Sequence, residues 1–181
     1  MTTWVLLLRG INVGTGNRIS MRDLAAVLDG LGLRDVQTYI QSGNATVRAD
    51  DGVDPDALAA SITGAIAAAH GFAPRALLLG AGALRAAISR NPFPEAVAEP
   101  ATLHAFFLAA LPGAPDLAGL EVLRGPRERF VLDGAVLYLH TPDGLGRSKL
   151  ALRVDRHLGV ATTARNWNTV VRLAAMADGI G

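Results

Sequence analysis

Two hydrophobic periods alternate along this chain, and their order predicts its fold. Trp4 to Leu8 is an unbroken apolar run of strand length, too short for a helix with its own buried stripe. Ser20 then supplies an N-cap oxygen with Asp23 three residues on. Leu24, Val27, Leu28 and Leu31 recur at helical spacing until Gly30 and Gly32 end the helix. Next, Val36, Thr38 and Ile40 alternate with Gln37, Tyr39 and Gln41; a turn at Ser42-Gly43-Asn44 leads into Ala45 to Arg48, which predicts a hairpin. Asp54-Pro55 opens a second helix with Leu58, Ile62, Ile66 and Ala69 on one face and Gly71 as its stop. Arg75 to Leu79 returns as a strand. The order β-α-β-β-α-β, over about residues 3 to 80, is the split βαβ or ferredoxin-like unit.

The pattern repeats more weakly. Ala81 to Arg90 reads as a connecting helix, and Asn91 to Pro100 as a linker whose prolines block both helix and central strand. A strand (Leu103 to Leu108), a short helix (Asp116 to Leu123), a hairpin turning at Asp133-Gly134, a helix (Lys149 to Leu158) and a last helix from about Asn168 to Met176 follow. The expected class is α+β: two ferredoxin-like modules in tandem with a C-terminal helical segment. The first module, with its connecting helix, covers 1–90 and the second, with the final helix, covers 91–181, the two forming one compact unit.

Composition narrows the function classes. Half of the 181 residues are hydrophobic, ample for a core. There is no cysteine, hence no disulfide framework, thiolate nucleophile or cysteine metal site, and the cytoplasm is the expected compartment. The apolar N-terminal run is too short for a signal h-region or a membrane span. A net charge of +1 and 5% aromatic residues disfavour a DNA packager or a base-stacking RNA platform. The histidines are scattered without metal-ligand spacing, so no metal and no cofactor is expected. No G-x-S-x-G elbow, Walker A loop or dinucleotide fingerprint is present, and no catalytic residue stands out.

What does stand out is scarcity. The chain has six asparagines and one lysine among its 17 basic residues, as if a coding bias replaces Lys by Arg and avoids Asn wherever packing permits. Five of the asparagines and the lysine fall in four segments: Arg9 to Asn17, Gln41 to Asn44, Gly144 to Lys149, and Arg165 to Thr169. In a ferredoxin-like unit the first two strands run the same way, so the loop leaving strand one and the turn leaving strand two share a sheet end. That places Arg9 and Asn12 beside Gln41 and Asn44, next to a helix N-terminus suited to an anion. Equally, Asn and Gly in such turns can serve backbone geometry alone. Ser148 is placed to cap a helix beside Lys149, which is better cast as a charge than as a base. Asn166 or Asn168 can cap the last helix, which leaves Arg165 and an asparagine over.

The segments R-G-I-N-V-G (Arg9 to Gly14), T-Y-I-Q-S-G-N (Thr38 to Asn44), N-P-F (Asn91 to Phe93), G-L-G-R-S-K-L (Gly144 to Leu150) and T-x-R-N-W-N-T (Thr163 to Thr169) resemble the bacterial family known as domain of unknown function 1697, from the first strand to the last helix. The resemblance implies a pair of ferredoxin-like modules and no established activity. Family members often carry a second Gly followed by Lys where this chain has Thr15 to Asn17. The function expected is binding of an anionic small ligand, a nucleotide or other phosphate ester, in a cleft formed by Arg9, Asn12, Gln41, Asn44, Ser148, Lys149, Arg165 and Asn168. A nucleic-acid-binding module and a non-catalytic oligomeric scaffold are the alternatives.

Overall fold

A computed structural model describes residues 1–180. It is a mixed α+β structure with two four-stranded antiparallel sheets and six α-helices among the described residues. Two compact units divide it, Met1–Ala86 with Arg172–Gly181, and Ala87–Val171.

The first unit runs β1 (Thr2–Arg9), α1 (Met21–Gly30), β2 (Arg34–Tyr39), β3 (Asn44–Ala49), α2 (Pro55–His70), β4 (Arg75–Gly80) and into α3 (Ala81–Ser89). Its sheet order is β2-β3-β1-β4. Because β1 is central, Val5, Leu6, Leu7 and Leu8 are all buried, on both faces. Leu6 and Leu8 pack with Leu24, Leu28, Ile62 and Ile66 of the two helices into one core. Each such side chain contributes roughly 1.5–3 kcal/mol by leaving water. The expected caps form: the Ser20 hydroxyl accepts from the Asp23 amide at 3.0 Å, Asp54 accepts from Asp56, and Gly71 closes α2 at φ 77°, a left-handed conformation suited to glycine.

The second unit contains two short 3₁₀ turns (Pro94–Ala98 and Pro100–Thr102), β5 (Leu103–Leu108), α4 (Leu117–Leu123), β6 (Arg129–Asp133), β7 (Val136–His140), two more 3₁₀ turns (Leu145–Arg147 and Ala151–Arg153), α5 (Val154–Leu158), β8 (Thr162–Asn166) and the start of α6 (Trp167–Gly179). The sheet order is β6-β7-β5-β8. Phe106, Leu108, Leu120, Leu137, Leu139, Leu150, Val154 and Leu158 form its core.

Two elements differ from the sequence pattern. The helix expected over Lys149 to Leu158 is a 3₁₀ turn followed by five α-helical residues. Leu150, Val154 and Leu158 keep the buried i, i+4 spacing, but the Ser148 hydroxyl accepts from the Ala151 amide and Arg153 bonds back to Leu150, which tightens the first turn. β8 was not expected at all. Its sequence, Thr-Thr-Ala-Arg-Asn, carries no apolar alternation. The strand is held by the edge of β5, with Phe106 opposite Ala164 and Phe107 opposite Thr163, and by Asp155, which accepts from the Thr162 hydroxyl at 2.6 Å. Long-range pairing here overrides weak local signal.

Candidate functional site

In the first unit, β1 and β2 both run antiparallel to β3, so the loop after Arg9 and the turn after Tyr39 leave the sheet at the same end. The Asn12 side chain joins them. The Asn12 amide nitrogen donates to the Ile19 carbonyl at 2.8 Å and to the Gln41 carbonyl at 2.9 Å, while its oxygen accepts from the Ile19 amide at 3.0 Å. Asn12 therefore ties the loop's start to its end and both to the β2–β3 turn. Asn17 donates to the Gly10 carbonyl at 3.0 Å, and the Asn12 amide N–H bonds back to the Asn17 carbonyl at 2.9 Å. Both asparagines sit at positive φ, 53° and 52°, a region that Asn enters more readily than most side chains. Their backbone conformation and their amides together explain why a chain sparing of asparagine retains them.

Gly43 lies under this loop at φ 73°, and a Cβ there would stand 2.7 Å from Leu8 Cβ and from Ile11 Cδ1. Ile40, half-exposed, opens the turn at φ 47°, a strained setting for a β-branched residue. Asn44 is fully buried; its amide nitrogen donates to the Ser42 hydroxyl at 2.8 Å and to the Tyr39 carbonyl at 3.2 Å. At the start of α1, the Ser20 hydroxyl donates to the Asp23 carboxylate at 2.7 Å. A protein carboxylate thus already complements this helix N-terminus.

Arg9 and Gln41 remain exposed at the same end. Strand pairing adds a residue that the sequence pattern did not single out: Arg75, the first residue of β4, is the direct cross-strand partner of Arg9. Both project from the sheet face opposite the α1–α2 core, the face of Val5 and Leu7 rather than that of Leu6 and Leu8. Only the antiparallel pairing of the last residue of β1 with the first of β4 reveals it.

In the second unit the polar segments follow β7 and β8. Both strands run antiparallel to β5, so they too leave their sheet at one end, and both exits are anchored to the Pro100–Thr102 turn. The Thr141 amide donates to the Thr102 carbonyl at 2.7 Å, and the Asn166 side chain donates to the Pro100 carbonyl at 3.0 Å. Asn166 is also the cap of α6, accepting from the Asn168 amide at 3.0 Å, which leaves the Asn168 side chain exposed. Ser148 is buried and occupied as a cap. Lys149 beside it is exposed. Arg165 donates to the Ala164 carbonyl at 2.8 Å, and burial pulls its guanidinium down to about 10, so it keeps its charge at neutral pH.

Arg9, Asn12, Gln41 and Asn44 thus gather at one end of the first sheet, and Ser148, Lys149, Arg165 and Asn168 belong to segments leaving one end of the second. Asn12, Asn44, Ser148 and Asn166 hold protein backbone; Arg9, Gln41, Lys149 and Asn168 present exposed polar ends. No group of three or more His, Asp or Glu positioned to hold a metal ion occurs among the described residues, nor does a helix long and apolar enough to cross a membrane.

Residues 1–138 match the family described as protein of unknown function DUF1697. The chain belongs to that family. No curated protein matches it. Among solved structures, a conserved bacterial protein from Streptococcus pneumoniae is similar in fold, with a TM-score of 0.71 over 97% of this chain and 98% of that one, at 24% sequence identity. The shared architecture therefore spans both units, while the DUF1697 match ends within β7.

Proposed function

We propose that this DUF1697 protein binds an anionic small molecule, a nucleotide or other phosphate ester, at the loop end of the first sheet. The carrying observation is the register that sets Arg9 directly opposite Arg75 on one face, beside the loop and turn that Asn12 clamps together. Two guanidinium groups at one register position offer planar donor forks whose geometry matches phosphate oxygens bidentately. Gln41 adds an exposed amide for orientation. Asn12 and Asn44 act by positioning, since their amides hold backbone. The second unit by itself offers a separate anion contact in Lys149, Arg165 and Asn168, with Ser148 capping the turn beside it.

The strand orders β2-β3-β1-β4 and β6-β7-β5-β8, with a helical connection in each crossover, support a pair of ferredoxin-like modules in tandem. The absence of cysteine supports a cytoplasmic setting.

The test is thermal unfolding with nucleoside phosphates, sugar phosphates, inorganic phosphate and short oligonucleotides. A ligand at a hundred times its dissociation constant stabilises by about 2.7 kcal/mol, roughly 5–11 °C for a chain of this length. Such a rise, removed by Arg9→Ala and by Arg75→Ala, is the expected result. If no phosphate compound raises the midpoint, the proposal fails. A rise confined to oligonucleotides and steeply reduced by salt replaces it with a nucleic-acid-binding role.

A further inference from the structure

At the opposite end of the first sheet, away from Arg9 and Arg75, lies a cavity of about 530 Å³ lined by Thr2, Thr3, Gly80, Ala81, Gly82, Arg85, Ala177 and Asp178. All of these residues belong to the first unit. We propose that it binds a small zwitterion with the chemistry of a free amino acid, the ligand carboxylate on Arg85 and the ligand ammonium on Asp178.

The volume lies in the range of small-molecule sites. Arg85 and Asp178 are the charged residues lining it among the described residues, and they form an ion pair at 2.5 Å. Stability does not account for that pair. Its side chains are 60% and 47% exposed, and exposed pairs contribute at most about 1 kcal/mol. Asp178 also stands in the last turn of α6, where the helix macrodipole disfavours a carboxylate.

An incoming zwitterion opens this weak pair and replaces it by two: its carboxylate accepts from the Arg85 guanidinium, and its ammonium donates to the Asp178 carboxylate. Charge balance is preserved throughout. A Cβ built at Gly80 or at Gly82 would meet nothing within 4 Å, so the backbone there is open to a ligand, and the half-buried methyl of Ala81 suits an apolar side chain. Thr2 is occupied by Asp51, which accepts from its hydroxyl at 2.8 Å; the Thr3 hydroxyl is the neutral polar group left for the ligand. A phosphate dianion is disfavoured, because Asp178 would face it. This cavity is therefore distinct in place and in charge from the Arg9–Arg75 end.

The experiment is thermal unfolding and titration calorimetry of the full chain with the proteinogenic amino acids at millimolar concentration, with propionate and propylamine as singly charged controls. At least one amino acid is expected to raise the midpoint while neither control does. Arg85→Ala and Asp178→Ala should each weaken binding by about tenfold or more, and Arg9→Ala should leave the response intact. The double variant Arg85→Gln with Asp178→Asn removes both charges and keeps the side-chain sizes. It is expected to unfold close to the wild-type midpoint, because an exposed pair contributes little, and to lose the response, which separates binding from folding. Absence of any amino-acid response, an equal response to propionate alone, or a response that survives Arg85→Ala overturns the proposal.

Discussion

The two sheets share an order but not a chemistry. In the first unit the Leu8 amide donates to the Gly43 carbonyl at 2.8 Å; at the matching place in the second, the Leu108 amide donates to the Ala135 carbonyl at 2.9 Å. Around that common bond the chain diverges. The first unit inserts residues 40 to 43 between Tyr39 and Asn44 and folds the Arg9–Ser20 loop back over them through Asn12. The second turns with Gly134 and Ala135 alone and carries no asparagine near that end. Its polar segments instead follow β7 and β8, the other end of the equivalent sheet. Topology fixes where loops emerge, and sequence decides which end is elaborated. The halves are not two copies of one site.

The sharpest way to break this comparison is to exchange the residues at the common bond. Gly43→Ala puts a methyl within 2.7 Å of Leu8 and Ile11 at φ 73°, and both the overlap and the left-handed backbone oppose it. A loss of about 3 kcal/mol or more is expected in urea unfolding. Ala135 is exposed, so Ala135→Gly should cost no more than about 1 kcal/mol. Equal losses would mean that the Asn12 loop does not press on the turn.

The units should also part company in acid. His104 on β5 is 7% exposed, its Nδ1 has no hydrogen-bond partner, and burial lowers its pKa to about 4. Between that value and the ordinary 6.5, the unfolded chain binds the extra proton. Stability therefore falls as pH drops through 6.5, and the loss is complete below about 4, amounting to roughly 3 kcal/mol. Amide exchange of β5 and β7 should quicken through this window, and His104→Phe should flatten the dependence. An unchanged pH profile in the variant would clear His104 of the effect.

Much of this was legible in the sequence because local signals agreed with the fold. The apolar run at Val5 to Leu8, the caps at Ser20 and Asp54 and the stop at Gly71 each fixed an element by short-range chemistry. β8 was not legible, since Thr162 to Asn166 becomes a strand only by pairing with β5. The rationed asparagines of these segments lie at the two loop ends, but their pattern carried no information on whether an amide faces a ligand or a carbonyl. For Asn12 and Asn44 that depends on Gln41, Ile19 and Tyr39 carbonyls brought near by the fold. Arg75 was hidden for the same reason, being adjacent to Arg9 only across strands.

A smaller contrast concerns the two polar clamps, half-buried Asn12 and buried Ser148. Asn12→Ala removes two donated bonds and one accepted bond, leaving the Ile19 amide and two carbonyls to find water. A loss of about 2–3 kcal/mol is expected, with faster exchange of the Arg9–Ser20 loop. Ser148→Ala removes one capping bond and should cost about 1 kcal/mol. A Ser148 variant as damaged as the Asn12 variant would show that the second unit's loop is clamped as firmly as the first.

Lys149 gives the smallest stability effect and tells most about ligand. Its side chain is exposed, and Lys149→Ala should shift unfolding by no more than about 0.5 kcal/mol. A single solvated ammonium approaching a phosphate is screened by salt, so its removal should weaken phosphate-ester binding by about fivefold at low ionic strength and by less as salt rises. Arg9→Ala, which removes a forked guanidinium from the Arg9–Arg75 pair, should weaken it by at least tenfold. Titration of both variants against the same phosphate ester at two salt concentrations makes the comparison. Unchanged affinity in Lys149→Ala would confine binding to the first unit and make the chain's one lysine a surface residue; a larger loss there than at Arg9 would move the principal charge contact to the second.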